Sequence, residues 1–406
     1  TSIFHLQTLT LTMLVGYIVV CYVASWAVYR PAPGSYALED LEPDLCTHIV
    51  YSFAGLNPDT NAIKSLAGYK RLVALKKKYP HLKVTLAIGG WNEGSPKYSN
   101  MASKAESREI FIKSVMNILN NYEFDGLDLD WEYPTKRDGQ PFDKENFVML
   151  VKELKEAFEP KGYILTAALG AGKETMESAY DLTKLSRYLD LLHMMCYDYH
   201  GTWDGFVGAN APLKGEYTIK YMLSQGVSPY KLVMGLPMYG RTYELVDPAT
   251  RRIEFGKTPV KSKGFQGPYT KEDGFMGYNE YWHDGSSTPY LRDKNGRGDR
   301  VISYDNGRSI AMKVKMAMDY GLGGLMVWSI DTDDFKGDCP AEVDPYVDFV
   351  ERHKRMAQDP LLTKAVENLH LPNGKLGGSD NQVSQIQTPA SISGIPDFMC
   401  EYHFQQ

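Results

Sequence analysis

The sequence predicts an α/β fold: a closed (β/α)8 TIM barrel carrying a small α+β insertion between strand 7 and helix 7. Three observations lead there. Eight short, continuously apolar runs are spaced along the chain, each separated from the next by a helical stretch or crossover. Strands that are apolar on both faces belong to parallel sheets covered by helices, and eight such units suit a barrel that closes on itself. A chain of 406 residues with 43% apolar side chains is long enough for one such domain plus additions. An open doubly wound sheet is the alternative on the same rhythm.

The elements follow in order. Residues 1–17 read as a leader or the remnant of a secretory signal. No Lys or Arg precedes Arg30, and Leu9 to Ala27 taken alone could form a membrane anchor. The Val, Ile, Tyr and Trp content of Ile18 to Trp26 favours a first strand instead. A loop marked by Pro31, Pro33, Gly34 and Pro43 leads to a second strand, Thr47 to Ala54. Leu66, Tyr69, Leu72, Val73 and Leu75 recur at helical spacing over 66–79. Leu82 to Ile88 is a third strand, closed by Gly89, Gly90 and Trp91. A helix over 104–121 precedes an acidic fourth strand. Helices over 143–158, 181–188 and 217–226 then precede strands over 163–169, 190–197 and 231–236. A helix over 307–320 precedes the eighth strand, Gly323 to Ser329.

The rhythm breaks at 241–306, a Gly-, Tyr- and charge-rich stretch read as the insertion domain. The barrel therefore spans 18–240 and 307–352. Residues 353–406 form a C-terminal extension whose later part, Asn373 to Pro396, is poor in apolar residues and linker-like.

Charge and cysteine usage narrow the function. Net charge is −6 and no dense Lys/Arg run occurs, which argues against nucleic acid and favours a neutral substrate. Five cysteines without a C-x-x-C pair suggest neither a disulfide scaffold nor a metal site.

The chemistry concentrates in Phe124 to Pro134. Asp128, Asp130 and Glu132 alternate with Leu127, Leu129 and Trp131, so the acids share one face of the strand and the large apolar groups share the other. Cα atoms two residues apart in a strand are roughly 6.6 Å apart, so neighbouring carboxyl groups can interact. Like charges that close cannot all ionise, and at least one carboxyl is pushed toward its protonated form. That suits general-acid catalysis. The same three acids could hold Mg²⁺ or Ca²⁺, or form a structural network, and spacing alone leaves these readings open. Asp125 lies on the opposite face and reads as structural. Trp131 reads as core.

Asp125-Gly-Leu-Asp-Leu-Asp-Trp-Glu132 resembles the D-G-x-D-x-D-x-E signature of family 18 glycoside hydrolases, the chitinases. Other segments resemble the same family in the right order over about 18–352. Cys21 to Trp26 and Ala87 to Trp91 match its first and third strands. Met195 to Trp203, Gly235 to Arg241, and Gly324 to Phe335 match its sixth, seventh and eighth. Gly267 to Thr270 and Tyr304 to Asn306 match the insertion of animal-type members. Ala87 stands where Ser is frequent in the family, a difference of little consequence for the catalytic roles that the resemblance implies.

The resemblance implies retaining, substrate-assisted hydrolysis of β-1,4-linked N-acetylglucosamine in chitin and its oligosaccharides, an exception to the two-carboxylate scheme. In that implied scheme Glu132 protonates the glycosidic oxygen, and Asp130 orients the substrate's acetamido group. Asp128 shares a proton with Asp130, and Tyr197 bonds the acetamido oxygen. Tyr22, Trp26, Trp91, Met195, Asp198, Trp203, Tyr239, Arg241 and Trp328 line the substrate cleft. No metal or cofactor is required. The family also implies a Cys21–Cys46 disulfide, an extracellular monomer, and no stable membrane association in the mature form.

The tryptophans agree with this on separate grounds. Trp26, Trp91, Trp203 and Trp328 fall at or just past strand C-terminal ends, where a barrel's active site lies, and indoles pack against the flat C–H faces of sugars. Core packing is the alternative for any one of them, and Trp282 in the insertion is unplaced. His193, in mid-strand, reads as a satisfied core residue and His200 as a scaffold for its loop. Cys196 reads as a buried thiol, with Cys339 and Cys400 free to pair. Three rivals remain: a chitinase-like lectin, which typically lacks the acid at position 132; an N-glycan hydrolase, which usually lacks the insertion; and a metal-dependent enzyme.

Overall fold

A computed structural model describes residues 17–65, 68–213, 216–280, 290–292 and 298–336. The leader up to residue 16, Trp282, Cys339, Cys400, the last stretch assigned to the barrel (337–352) and the 353–406 extension lie outside the described residues.

Eight parallel strands form the centre: β1 Ile18–Ala24, β2 His48–Leu56, β3 Lys83–Gly89, β4 Gly126–Asp130, β5 Ile164–Gly170, β6 Leu191–Met195, β7 Leu232–Pro237 and β8 Gly324–Trp328. Each pairs with its successor, and β8 returns to β1, so the sheet closes and no barrel strand is left as an edge. An open doubly wound sheet is thereby excluded.

Because side chains alternate along each strand, the barrel has two apolar compartments. Outward residues such as Val19, Ile49, Val84, Leu127, Leu165 and Leu192 pack beneath the surrounding helices. Inward residues, among them Val20, Tyr22, Val50, Ala87, Ala168, Leu191, Val233 and Met326, fill the interior.

The helices that complete the wall include α1 Ala105–Tyr122, α2 Asp143–Phe158, α3 Leu182–Tyr188, α4 Glu216–Ser224 and α5 Gly307–Asp319. Local chemistry sets their ends. Asp181 accepts a hydrogen bond from the Lys184 amide at the start of α3, and Asn306 accepts one from Ser309 at the start of α5. Gly226 (φ 79°) turns the chain beyond α4, where a residue with a Cβ would be strained. The helix predicted over 66–79 is instead two short pieces, Tyr69–Val73 and Leu75–Lys78, which break at Ala74. Tyr69, Leu72 and Val73 are buried while the Lys-rich second piece has no buried residue, so only the first turn is held by packing.

Beyond β7 the chain enters a four-stranded antiparallel sheet ordered Phe275–Gly277, Tyr239–Glu244, Arg300–Ser303, Tyr290–Arg292. The first strand of this sheet along the chain begins at Tyr239, only two residues after the barrel strand. A buried ion pair anchors its return: Lys313 in α5 meets Asp305, which also accepts a hydrogen bond from Ser309 Oγ. Cys21 and Cys46 are joined by a disulfide, tying β1 to the segment before β2. Cys196 is a buried free thiol pushed up to about 11 by burial, which leaves it unreactive near neutrality. Among the described residues, no helix is long and apolar enough to cross a membrane.

Candidate active site

Strand β4 does what its alternation requires. Leu127, Leu129 and Trp131 face the helices, and Trp131 Nε1 donates to Ser95 Oγ at 2.7 Å. Asp125, at the opposite end of the strand from Glu132, accepts the Val84 amide at 2.7 Å and pairs with Lys76, a structural role. Asp128 and Asp130 are buried inside the barrel, and Glu132, two residues past Asp130, keeps a partial opening to solvent.

Asp128 is the satisfied member of the row. Tyr22 OH donates to its Oδ2 and Thr166 Oγ1 to its Oδ1, both at 2.6 Å. His193 Nδ1 lies 2.9 Å from Tyr22 OH and 3.2 Å from Asp128 Oδ1. Since the Tyr22 proton goes to Asp128, Nδ1 is the ring's donor toward this pair, and Nε2 is the nitrogen on the far side of the ring. That Nε2 is buried with no hydrogen-bond partner. His193 is therefore not the satisfied core residue expected; it belongs to the floor of the acidic row. Tyr22, expected to line the substrate cleft, is buried in the same floor. Hydroxyl donors from β1 and β5 thus bring one hydrogen bond to each oxygen of Asp128, which lies two residues before Asp130 on the same face of β4.

Asp130 is the unsatisfied member. Its Oδ1 is buried without a partner. Burial, then the neighbouring Glu132 and Asp128 charges, raise its carboxyl well above the usual range. The backbone packs tightly here: a Cβ on Gly89 (φ 118°) would sit 2.0 Å from the Asp130 carbonyl oxygen, so only glycine permits β3 and β4 to meet at this point.

Glu132 is pushed up to about 7, first by burial and then by Asp198, against the lowering influences of the Tyr133 hydroxyl, Arg137 and Arg241. Such a carboxyl is protonated for a substantial fraction of the time near neutral pH and can donate that proton.

A second cluster faces this row from β6 and the insertion. The ladder of β6 ends at Met195, short of the predicted 197, because Asp198 adopts φ 56° and turns the chain. Tyr239 OH and Arg241 Nε both donate to Asp198 Oδ1 at 2.7 Å, and the Asp198 amide donates to Asn210 Oδ1. Arg241 also lies over the Trp203 ring, 5.2 Å from its centroid. Tyr197 is buried, with its hydroxyl 3.7 Å from Met326 Sδ. A Cβ on Gly235 would approach Tyr197 Cε1 to 2.9 Å, so the glycine leaves room for that ring. Met195 is buried beside Tyr197 in the interior cluster.

Aromatic residues rim the opening. Trp26, Trp91 and Trp203 are 43, 58 and 59% exposed, far from core packing, and Trp328 is half-buried. Phe53 stacks between Trp26 and Trp328, with ring centroids 6.0 and 5.5 Å away and interplanar angles of 23° and 24°. These rings form a continuous apolar floor beside the acids. His200 Nδ1 lies 3.1 Å from Asp204 Oδ2, within its own loop as expected.

Sequence reading missed Tyr133, Thr166, Phe53, Arg137 and Asn210. Thr166 did carry a signal, being the one hydroxyl in an otherwise apolar strand, and Tyr133 directly follows the acid. Phe53, Arg137 and Asn210 carried none. Among the described residues, no group of three or more His, Cys, Asp or Glu side chains is arranged to hold a metal ion.

Comparison with known proteins agrees with this geometry. The sequence profile of "Glycosyl hydrolases family 18" matches residues 18–333. The chain is 46% identical to "Probable chitinase 2" of Drosophila melanogaster, over 90% of this chain and 84% of that protein. It is 34% identical to the "Endochitinase" of Manduca sexta, over 82% of this chain and 67% of that protein. The crystal structure of the Ostrinia furnacalis Group IV chitinase in complex with allosamidin superposes with a TM-score of 0.74 at 38% identity, covering 84% of this chain and 99% of that one. An eight-stranded barrel whose fourth strand carries this row of acids beneath an aromatic rim, together with a profile match over most of the chain, places the protein in family 18 of the glycosyl hydrolases.

Proposed function

We propose that the protein hydrolyses β-1,4 linkages between N-acetylglucosamine units in chitin and chitooligosaccharides, with retention and with the substrate's own acetamido group as nucleophile. The observation that carries this reading is the pairing of a carboxyl that titrates near 7, Glu132, with a buried, unpartnered carboxyl oxygen on Asp130. Glu132 supplies the proton to the leaving glycosidic oxygen. An unpartnered buried acceptor costs roughly 1–3 kcal/mol, and a substrate N–H placed on Asp130 recovers it. Asp130 thereby orients the acetamido group so that its oxygen attacks the anomeric carbon, and it stabilises the cationic ring that forms. Tyr197 holds the acetamido oxygen, and Asp128 shares a proton with Asp130 from beneath. Water then attacks from the face the leaving group vacated, giving its proton to the deprotonated Glu132 and breaking the bond to the acetamido oxygen.

The neutral, flat polymer fits the rim. Trp26, Trp91, Trp203 and Trp328 take sugar faces, while Asp198 and Arg241 take hydroxyl and acetamido groups between them. The reading includes an extracellular monomer without stable membrane association. The disulfide supports an oxidising compartment.

Glu132→Gln tests the mechanism. Turnover of chitotetraose should fall by roughly 10²–10⁴-fold, the usual contribution of a general acid, while binding measured by tryptophan fluorescence persists. Near-normal turnover by this variant would overturn the mechanism. Binding without turnover by the unmodified protein would favour the lectin reading, and loss of activity in excess chelator the metal-dependent one.

A further inference from the structure

The loop after β4 has no assigned role, yet it is held with unusual care. Thr135, Arg137 and Asp138 all sit in the left-handed region (φ 68°, 52° and 65°), a conformation that costs a non-glycine residue about 1–2 kcal/mol. Three left-handed residues within four positions persist only if the surroundings enforce them. Asp143 does much of this: fully buried, it accepts the Gln140 amide at 2.7 Å, the Thr135 amide at 3.3 Å and Ser99 Oγ at 2.6 Å. Ser95 Oγ donates to the Tyr133 carbonyl at 2.6 Å, and Lys136 pairs with Glu174.

This conformation delivers the Arg137 side chain to one place. Its guanidinium carbon lies 3.6 Å from the centroid of the Trp91 ring. Its Nη1 donates both to the Trp91 carbonyl at 2.7 Å and to the Glu132 carbonyl at 3.2 Å. One side chain therefore stacks on the most prominent indole of the β3 loop and ties that loop's backbone to the backbone of the acid.

We infer that Arg137 is a positioning residue that couples the Trp91 platform to Glu132, so that a sugar seated on Trp91 is held in register with the proton donor. The guanidinium covers one face of the indole and leaves the other as the sugar-binding face. A planar, delocalised cation is suited to this and an ammonium is not, because only the guanidinium can stack and donate in the same plane. The assignment rests on the proposed hydrolase reading, since it is Glu132's role as donor that gives the coupling its value.

Arg137→Met and Arg137→Lys separate the parts of the role. Both retain a residue with a Cβ at φ 52°, so neither changes the backbone strain relative to the other. Around Glu132, burial and Asp198 raise its pKa while Tyr133, Arg137 and Arg241 lower it, and Asp130 is the neighbouring carboxyl whose own pKa Glu132 raises. Loss of the Arg137 charge moves the alkaline limb of the kcat/KM profile upward, by about half a pH unit for a solvent-screened pair. Arg137→Met should show this shift together with a kcat/KM on chitotetraose lowered about tenfold or more. Arg137→Lys should restore the alkaline limb but not kcat/KM, because it keeps the charge and loses the stack.

Unchanged kcat/KM and pH limb in Arg137→Met would overturn the assignment. So would losses in both variants that track a drop in Tm with no pH shift, the signature of a merely structural residue. If the unmodified protein proves not to hydrolyse chitotetraose, the hydrolase reading fails separately. The coupling is then read from binding in the Glu132→Gln background: a several-fold weaker Kd for Arg137→Met sustains the Trp91 part, and an unchanged Kd removes it.

Discussion

Asp130 and Asp305 are both almost completely buried aspartates at strand ends, and the molecule treats them in opposite ways. Asp305, where the insertion sheet rejoins the barrel, is given a lysine and a serine hydroxyl. Asp130, at the foot of the cleft, is given two further acids and an empty oxygen. A buried charge with a full set of partners holds two segments in place. A buried acid without them is held by the fold at a cost, and that cost is recovered only when something else enters.

The largest effect is expected at Asp130→Asn, where hydrolysis of chitotetraose should fall by roughly 10²–10³-fold, the loss typical of a preorganised electrostatic group. Its Tm should hold or rise, since an amide relieves the like-charge crowding. A marked drop in Tm would make Asp130 a structural residue like Asp305.

Lys313→Ala comes next and inverts the pattern. Leaving Asp305 unpaired should cost about 3–5 kcal/mol in denaturant unfolding, while kcat per folded molecule stays within about twofold. Replacing both partners, Lys313→Met with Asp305→Leu, should return most of that loss, because the desolvation cost disappears with the charges. If the double variant remains as unstable as the single one, the pair is specifying geometry rather than merely neutralising a charge.

The smallest effect is on the pH dependence of stability. Glu132 carries a folded pKa raised from 4.5 to about 7. A raised carboxyl pKa favours the folded state fully at pH below the unfolded value and loses that contribution as pH climbs toward 7. Between about pH 4.5 and 7 the unmodified protein should therefore lose stability relative to Glu132→Gln, whose amide does not titrate. Parallel Tm-versus-pH curves for the two would show that Glu132 is not perturbed in the free protein.

Much of this was open to reading from residues alone. The alternation of Asp128, Asp130 and Glu132 with Leu127, Leu129 and Trp131 assigned both faces of β4, because a strand allows only two sides. The continuous apolar runs indicated parallel strands for the same reason. Trp26, Trp91, Trp203 and Trp328 could be placed at the rim because a barrel strand's end marks the mouth. What could not be read were contacts among distant segments. Tyr22 looked like a cleft residue and proved to be a donor to Asp128, 106 positions away. His193 looked satisfied, yet its Nε2 has no partner.

From the sequence came the order of strands and helices, the side of β4 that bears the acids, and the four tryptophans of the rim, though not Phe53 between two of them. These are periodic or local properties, carried by side-chain alternation and by where a strand ends. Only the tertiary structure decided which acid is satisfied and which is left open. That depends on closing the barrel, which brings Tyr22 from β1, Thr166 from β5 and His193 from β6 onto Asp128 and leaves Asp130 Oδ1 buried without a hydrogen-bond partner. Burial and proximity, which set the protonation of Asp130 and Glu132, do not exist along an extended chain.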